Sequence, residues 1–186
     1  ENALESVDPY KSVKKSIEKE NNTIIIDSHR FQLDDFSHIY VIAFGKASIK
    51  MFKAVSELLP VAEGIVVSNF EDELNIPYIK FVKGGHPIPD QSSIKAGYEV
   101  LDLANKTTNS DLTIILISGG GSALVENALI PLERLQELTK KLMKNGADIN
   151  EINAVRKHLS KIKGGKLLKR LKGKVVSLII SDVIFD

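Results

Sequence analysis

Hydrophobic positions along the chain fall into short apolar runs separated by amphipathic stretches. After Asp8-Pro9, Val13 and Ile17 recur four residues apart among basic neighbours, which predicts an N-terminal amphipathic helix. Thr23–Ile26 and residues 30–33 flank Asp27-Ser28-His29 and read as a hairpin. Ile39–Phe44 is an apolar strand ended by Gly45-Lys46, and helical spacing follows through Met51, Val55 and Leu58. Residues 64–68 and 78–82 are two more runs of strand length. Ile94, Tyr98, Leu101 and Ala104 then mark a helix, with Ser92 or Ser93 as its N-cap.

The second half repeats this alternation. Residues 111–117 form an apolar strand that empties into Ser118-Gly119-Gly120-Gly121-Ser122. Pro131 can open a helix with Leu132, Leu135, Leu138, Leu142 and Met143 on its inner side, closed by Asn145-Gly146. Helices are expected over residues 151–159 and 165–171, and a buried strand over Lys174–Ile180. Strands alternating with helices indicate an α/β fold, a mainly parallel sheet with helices on both faces. The last strand is followed by only six residues, at the point where a ligand-binding loop would begin. That suggests one domain cut from a longer protein.

Composition narrows the class without choosing a function. The chain has 186 residues, 43% hydrophobic and 26% charged, as expected for a globular α/β domain. It contains no Cys, which removes disulfides, zinc–thiolate sites and a Cys nucleophile, and an intracellular, cytoplasmic setting is expected. No apolar run approaches the roughly 20 residues of a membrane span, so no membrane is expected as a partner. Net charge is +1 but uneven. Residues 140–174 hold 12 Lys/Arg against 2 acidic residues, and the rest of the chain 13 against 22. The asymmetry suggests an anionic ligand near the basic segment, or simply a solvated Lys-rich face. No aromatic residue interrupts that segment, so a base-stacking platform has no support and nucleic acid is a poor candidate.

Three loops after predicted strands carry the candidate chemistry. In Ala43-Phe44-Gly45-Lys46-Ala47-Ser48, a Walker A reading fails because Tyr40 and Ala47 stand where Gly and Ser/Thr are needed. Lys46 opposes the dipole of the helix it precedes, which an adjacent anion would explain, unless it is simply a solvated lysine. The glycine run 119–121 lets the backbone approach a ligand closely and fits a phosphate cradle beyond a strand end. A tight connection fits equally well. The dinucleotide fingerprint fails at Leu124, which disfavours hydride chemistry. In Ser181-Asp182-Val183, followed by Asp186, two carboxylates suit Mg²⁺, or Asp182 caps a helix. Gly85-His86-Pro87-Ile88-Pro89-Asp90 is a backbone-restricted loop in which His86 contacts substrate or stabilises the turn. Asn153, Arg156 and Lys157 share one helical turn, and Arg156 is the better anion clamp because its fork binds two oxygens. A phosphate cradle, a lysine, an arginine and metal carboxylates without an obvious nucleophile fit phosphoryl transfer. Gly-x-Ser-x-Gly is absent, which removes the α/β-hydrolase reading.

Gly45-Lys46-Ala47, Gly85-His86-Pro87-x-Pro89-Asp90, Ser118-Gly-Gly-Gly-Ser-Ala123, the block from Asn153 to Gly165, and Ser181-Asp182-Val183 together resemble the glycerate kinase family of the MOFRL type. The blocks follow that family's order and cover nearly the whole chain. The resemblance implies ATP-dependent phosphorylation of D-glycerate with Mg²⁺. It also implies that residues 1–186 form a Rossmann-like N-terminal domain whose C-terminal partner domain is absent from this chain. Carried over by motif, Lys46 would be catalytic, and Ser118, Gly119, Gly120, Gly121 and Ser122 would bind the nucleotide. His86, Arg156 and Asn153 would lie near the substrate, and Asp182 and Asp186 would hold the metal. Phe185 replaces a glycine common in the family, which weakens the case for Asp186. The product is expected to be 2-phosphoglycerate. Alternatives are 3-phosphorylation, hydroxypyruvate reduction, or a non-catalytic nucleotide- or nucleic-acid-binding domain. A homo-oligomer is compatible with the sequence.

Overall fold

The computed structural model describes residues 8–70 and 75–181. Helix α1 (Pro9–Ser16) starts where the Asp8 carboxylate accepts from the N–H groups of Tyr10 and Lys11, at 2.8 and 3.3 Å, with Pro9 at the first helical position. The helix does not continue through Ile17. That residue turns extended (φ −123, ψ 109) and opens strand β1 (Ile17–Glu20), which pairs with β2 (Thr23–Ile26). β3 (His29–Gln32) completes a three-stranded antiparallel meander, with His29 in the strand rather than the turn. Ile17, Ile24 and Ile26 are all buried, and the pairing of Ile17 with Ile26 settles the choice between helix and strand.

The main sheet comprises β4 (Ile39–Phe44), β5 (Glu63–Ser68), β6 (Ile79–Lys83), β7 (Leu112–Ser118) and β8 (Lys174–Ile180). Its order is β6-β5-β4-β7-β8, parallel throughout. The chain therefore winds outward in one direction from β4 and in the other from β7. A crevice opens at that reversal, beyond the strand C-termini.

Successive residues of the central strands feed two cores. Val41, Ala43, Ile114 and Leu116 pack under helix α2 (Ser48–Ser56), through Met51, Phe52 and Val55, and under the N-terminal meander. Tyr40, Ile42, Ile65 and Ile115 face helix α3 (Gln91–Lys106), through Ala96, Val100 and Leu103. β4 and β7 are apolar on both faces because both are covered. Each fully buried side chain of this size contributes about 1.5–3 kcal/mol. At Gly97 α3 lies so close to residue 126 that a Cβ would sit 2.0 Å from the Glu126 carbonyl oxygen.

Several sequence-based expectations change. Asp90 caps α3, not Ser92 or Ser93. Its carboxylate accepts from the Ser93 N–H at 3.0 Å, while the buried Ser93 hydroxyl serves the preceding loop. A single helical turn, α4 (Gly121–Leu124), follows the glycine run, and α5 (Leu132–Lys144) comes next. α5 buries only Leu135, and Met143 is 60% exposed, so the expected inner side does not pack as a core stripe. α6 (Ile149–His158) appears near its predicted place, capped by Asp148. Residues 165–170 form successive turns, not the helix expected over 165–171. Gly164 and Gly165 both take positive φ, yet Leu167 and Leu171 still reach the core. β8 is an edge strand rather than a buried one, and Ile179 is 64% exposed.

Candidate active site

The parallel registers bring the strand ends together, Phe44 beside both Val67 and Ile117, and Ser68 beside Lys83. The loops after β4 and β7 then lock onto each other. The Lys46 N–H donates to the Gly119 carbonyl at 2.9 Å, and the Ala47 N–H donates to Ser118 Oγ at 3.0 Å. The contact requires glycine at 45, where φ is +128 and a Cβ would fall 2.2 Å from Ser118 Oγ. Ser118 is thereby a clasp between two loops.

Gly120, at φ +82, is the meeting point on the outer side of the turn. A Cβ there would lie 3.0 Å from His86 Cδ2 and 3.3 Å from Lys46 Cε. Lys46 and His86 are both exposed. The His86 loop, which contains a cis His86–Pro87 peptide, is anchored at both ends. Gly84 N–H donates to Ser68 O at 2.8 Å, and the N–H groups of Gly85 and Asp90 donate to Ser93 Oγ at 3.0 and 3.2 Å. Burial alone would push the Asp90 carboxyl up. Hydrogen bonds from Ser92 and Ser93 outweigh it and hold that carboxyl below its usual range.

The inner side of the turn is different in kind. Glu126 is 1% exposed, and its Oε2 lies 2.7 Å from Lys163 Nζ and 3.9 Å from Arg156 Nη2. Its Oε1 accepts from the Asn127 N–H at 3.0 Å. Arg156 also donates to Ser122 O at 2.7 Å, and Lys163 to Val125 O at 2.8 Å. Burial pulls both cations below their usual ranges, and the Glu126 carboxylate partly restores them. Arg156, Lys163, Asn153 and Ser122 line a cavity of about 440 Å³ whose walls also include Phe44, Ile117 and Leu167.

The residues singled out from sequence thus divide into two groups. Lys46, His86 and Gly120 converge on the outer side. Gly121, Ser122, Asn153 and Arg156 line the inner cavity. Asp182 and Asp186 lie outside the described residues. Among the described residues no cluster of His, Cys, Asp or Glu could hold a metal ion. No described helix is long and apolar enough to cross a membrane. Sequence reasoning gave no role to Glu126 or to Lys163, and it took Ser93 for a helix cap rather than a loop anchor. The one signal for Glu126 was a lone carboxylate directly after the apolar run Ala123-Leu124-Val125.

Over residues 1–186 the sequence matches the DUF4147 family, described as a domain of unknown function. The chain belongs to the DUF4147 family. A glycerate 2-kinase of Pyrococcus horikoshii is 43% identical to this DUF4147 chain over 186 residues, covering 99% of the chain and 42% of that relative. A crystal structure of a P. horikoshii protein superposes with a TM-score of 0.93 at 43% identity, covering 99% of this chain and 42% of the other. A crystal structure of glycerate kinase from Thermotoga maritima gives 0.84 at 36% identity, covering all of this chain and 43% of the other. The DUF4147 chain therefore spans less than half the length of these relatives.

Proposed function

We propose that this chain is the N-terminal, nucleotide-facing domain of a D-glycerate 2-kinase of the MOFRL type. The observation that carries the reading is the convergence of Lys46 and His86 on Gly120, at the reversal of the sheet. Glycerate kinase relatives that match along almost the whole chain support it. In this reading the glycerate 2-hydroxyl oxygen bonds to the γ-phosphorus of ATP as the bond from that phosphorus to the β,γ-bridging oxygen breaks. ADP leaves and the hydroxyl proton is lost. The backbone of residues 118–122 cradles phosphate oxygens, and Lys46 faces the charge that develops on the transferred group. His86, Asn153 and Arg156 orient glycerate. Asp182, with Asp186, is the proposed Mg²⁺ ligand set, and the ion would neutralise phosphate charge. The remaining length of the relatives would supply a second domain closing over this face in a cytoplasmic enzyme.

The test is to incubate the full-length protein with D-glycerate, ATP and Mg²⁺, and then add enolase alone. Direct formation of phosphoenolpyruvate is expected. Product that enolase converts only after a mutase is added would overturn the 2-position, and absence of glycerate-dependent ADP would overturn the kinase reading.

A further inference from the structure

Two cations share one carboxylate behind the glycine turn. Glu126 is 1% exposed, and the Arg156 and Lys163 side chains are 11% and 12% exposed, so the cluster holds a surplus positive charge where water has little access. Buried charge is tolerated when it is paired and hydrogen-bonded, and a surplus cation is left uncompensated. The hydrogen bonds are also incomplete. Arg156 Nε is buried and has no partner, although Nη2 of the same group is engaged with Ser122 O. Both cations line the same cavity, with Lys157, Asn153 and Ser177 beside them and an apolar wall that includes Phe44, Ile117 and Leu167. An apolar wall strengthens whatever charge faces it, because the effective dielectric constant falls.

The geometry points to this cluster as an oxyanion-binding subsite that neither the family match nor the relatives' names assign. Arg156 and Lys163 receive a phosphate or carboxylate group of a small-molecule ligand, and Glu126 is the positioning residue that holds the two cations together. The inference rests on the phosphoryl-transfer reading above and deepens it. The oxyanion is the glycerate carboxylate if Arg156 orients glycerate as read above, and a nucleotide phosphate if it does not. The backbone contacts explain how the cations stay put without a ligand. Arg156 ties α6 to the turn through Ser122, and Lys163 ties residues 160–166 to it through Val125. A ligand entering the cavity therefore meets charge already assembled, and pre-assembly reduces what binding must order.

Calorimetric titration of the full-length protein with ADP and, separately, with D-glycerate tests this. Lys163→Met is expected to weaken one of the two ligands by on the order of tenfold to a hundredfold, the range for a hydrogen bond to a charged group, and to leave the other within about twofold. Lys163→Arg, which keeps the charge, should recover most of the loss. Glu126→Asp keeps the carboxylate but shortens its reach, and should weaken the same ligand several-fold while sparing the other. A purely structural cluster would move both ligands together or neither. Wild-type affinity for both ligands in Lys163→Met overturns the subsite, as does equal weakening of both. The kinase reading stands or falls separately, on glycerate-dependent ADP formation by the wild type. An inactive wild type that still binds ADP or glycerate through Lys163 would sink that reading and keep the subsite.

Discussion

The two sides of the glycine turn are built by opposite means. On the outer side Lys46 and His86 are exposed, and they are placed by backbone geometry and neutral hydrogen bonds: positive φ at Gly45 and Gly120, the Ser118 clasp, and a loop anchored on Ser68 and Ser93. On the inner side Glu126, Arg156 and Lys163 are buried and place one another through charge. The contrast teaches where each side is vulnerable. The outer residues can be replaced without harming the fold, but their spacing fails if the backbone changes. The inner side cannot lose Glu126 without leaving two buried cations unpaired.

The largest contrast should come from Lys46→Ala in the full-length protein. We expect kcat to fall on the order of 10³-fold, as for other cations that stabilise a transferring phosphoryl group. Unfolding free energy should stay within about 0.5 kcal/mol, the usual range for an exposed substitution. Steady-state kinetics and urea titration on the same sample decide the matter, and an unchanged kcat removes Lys46 from the chemistry. Glu126→Ala should act on stability as well as on binding. Two buried cations lose their carboxylate, which should destabilise the fold by about 3–5 kcal/mol. A urea midpoint matching the wild type would show that the inner side is not held by charge.

Gly120→Ala probes the backbone between the sides. Forcing an alanine to φ +82 costs about 1–2 kcal/mol, and the new methyl crowds His86 and Lys46. A moderate loss of stability should accompany a loss of activity disproportionate to it. Full activity would mean that the close approach is incidental.

The smallest effects distinguish the sides by pH. Asp90, on the outer side, titrates lower folded than its unfolded value of about 3.9. The native state binds fewer protons there, so the contribution of Asp90 is complete above that range and is lost as pH falls through the folded pKa. Asp90→Asn should flatten the acid limb of a stability profile. Lys163, on the inner side, titrates lower folded than its unfolded value of about 10.4. Between those two values the unfolded chain binds the extra proton, so stability rises with pH across that alkaline window. Lys163→Met should remove this rise, and an unaltered difference from wild type across it would contradict the burial of that ammonium.

Much of the main sheet was legible because its strands announce themselves. Ile39–Phe44 and Leu112–Ser118 are apolar runs, buried on both faces and ending in glycine turns. The N-terminal meander was harder. Ile17 satisfies helical spacing from Val13, and only its pairing with Ile26 reveals a strand. Lys46, His86 and the glycine run drew notice because each follows a predicted strand, and the fold brings those strand-end loops together. Glu126 and Lys163 were not, because they are 37 residues apart and their contact is long-range. A lone carboxylate after an apolar run and one lysine among many carry no local mark of the partnership. Ser93 was noticed for the wrong task. A serine near a helix start suggests a cap, whereas its buried hydroxyl serves the neighbouring loop.

Helix α3 touches both sides at once. Its first turn holds the His86 loop through Ser93 Oγ, and the carbonyl of the same Ser93 accepts the Glu126 N–H at 3.0 Å. One turn further on, Gly97 presses against the Glu126 carbonyl. The helix acts as a jig to which both walls are indexed. A small tilt or slide of α3 would carry His86 and Glu126 together, and the gap between them would survive a motion that would misalign independently mounted walls. Drift on its outward surface, where Tyr98 is 62% exposed, should leave that alignment untouched. Changes at Ser93 or Gly97 would register on both walls simultaneously.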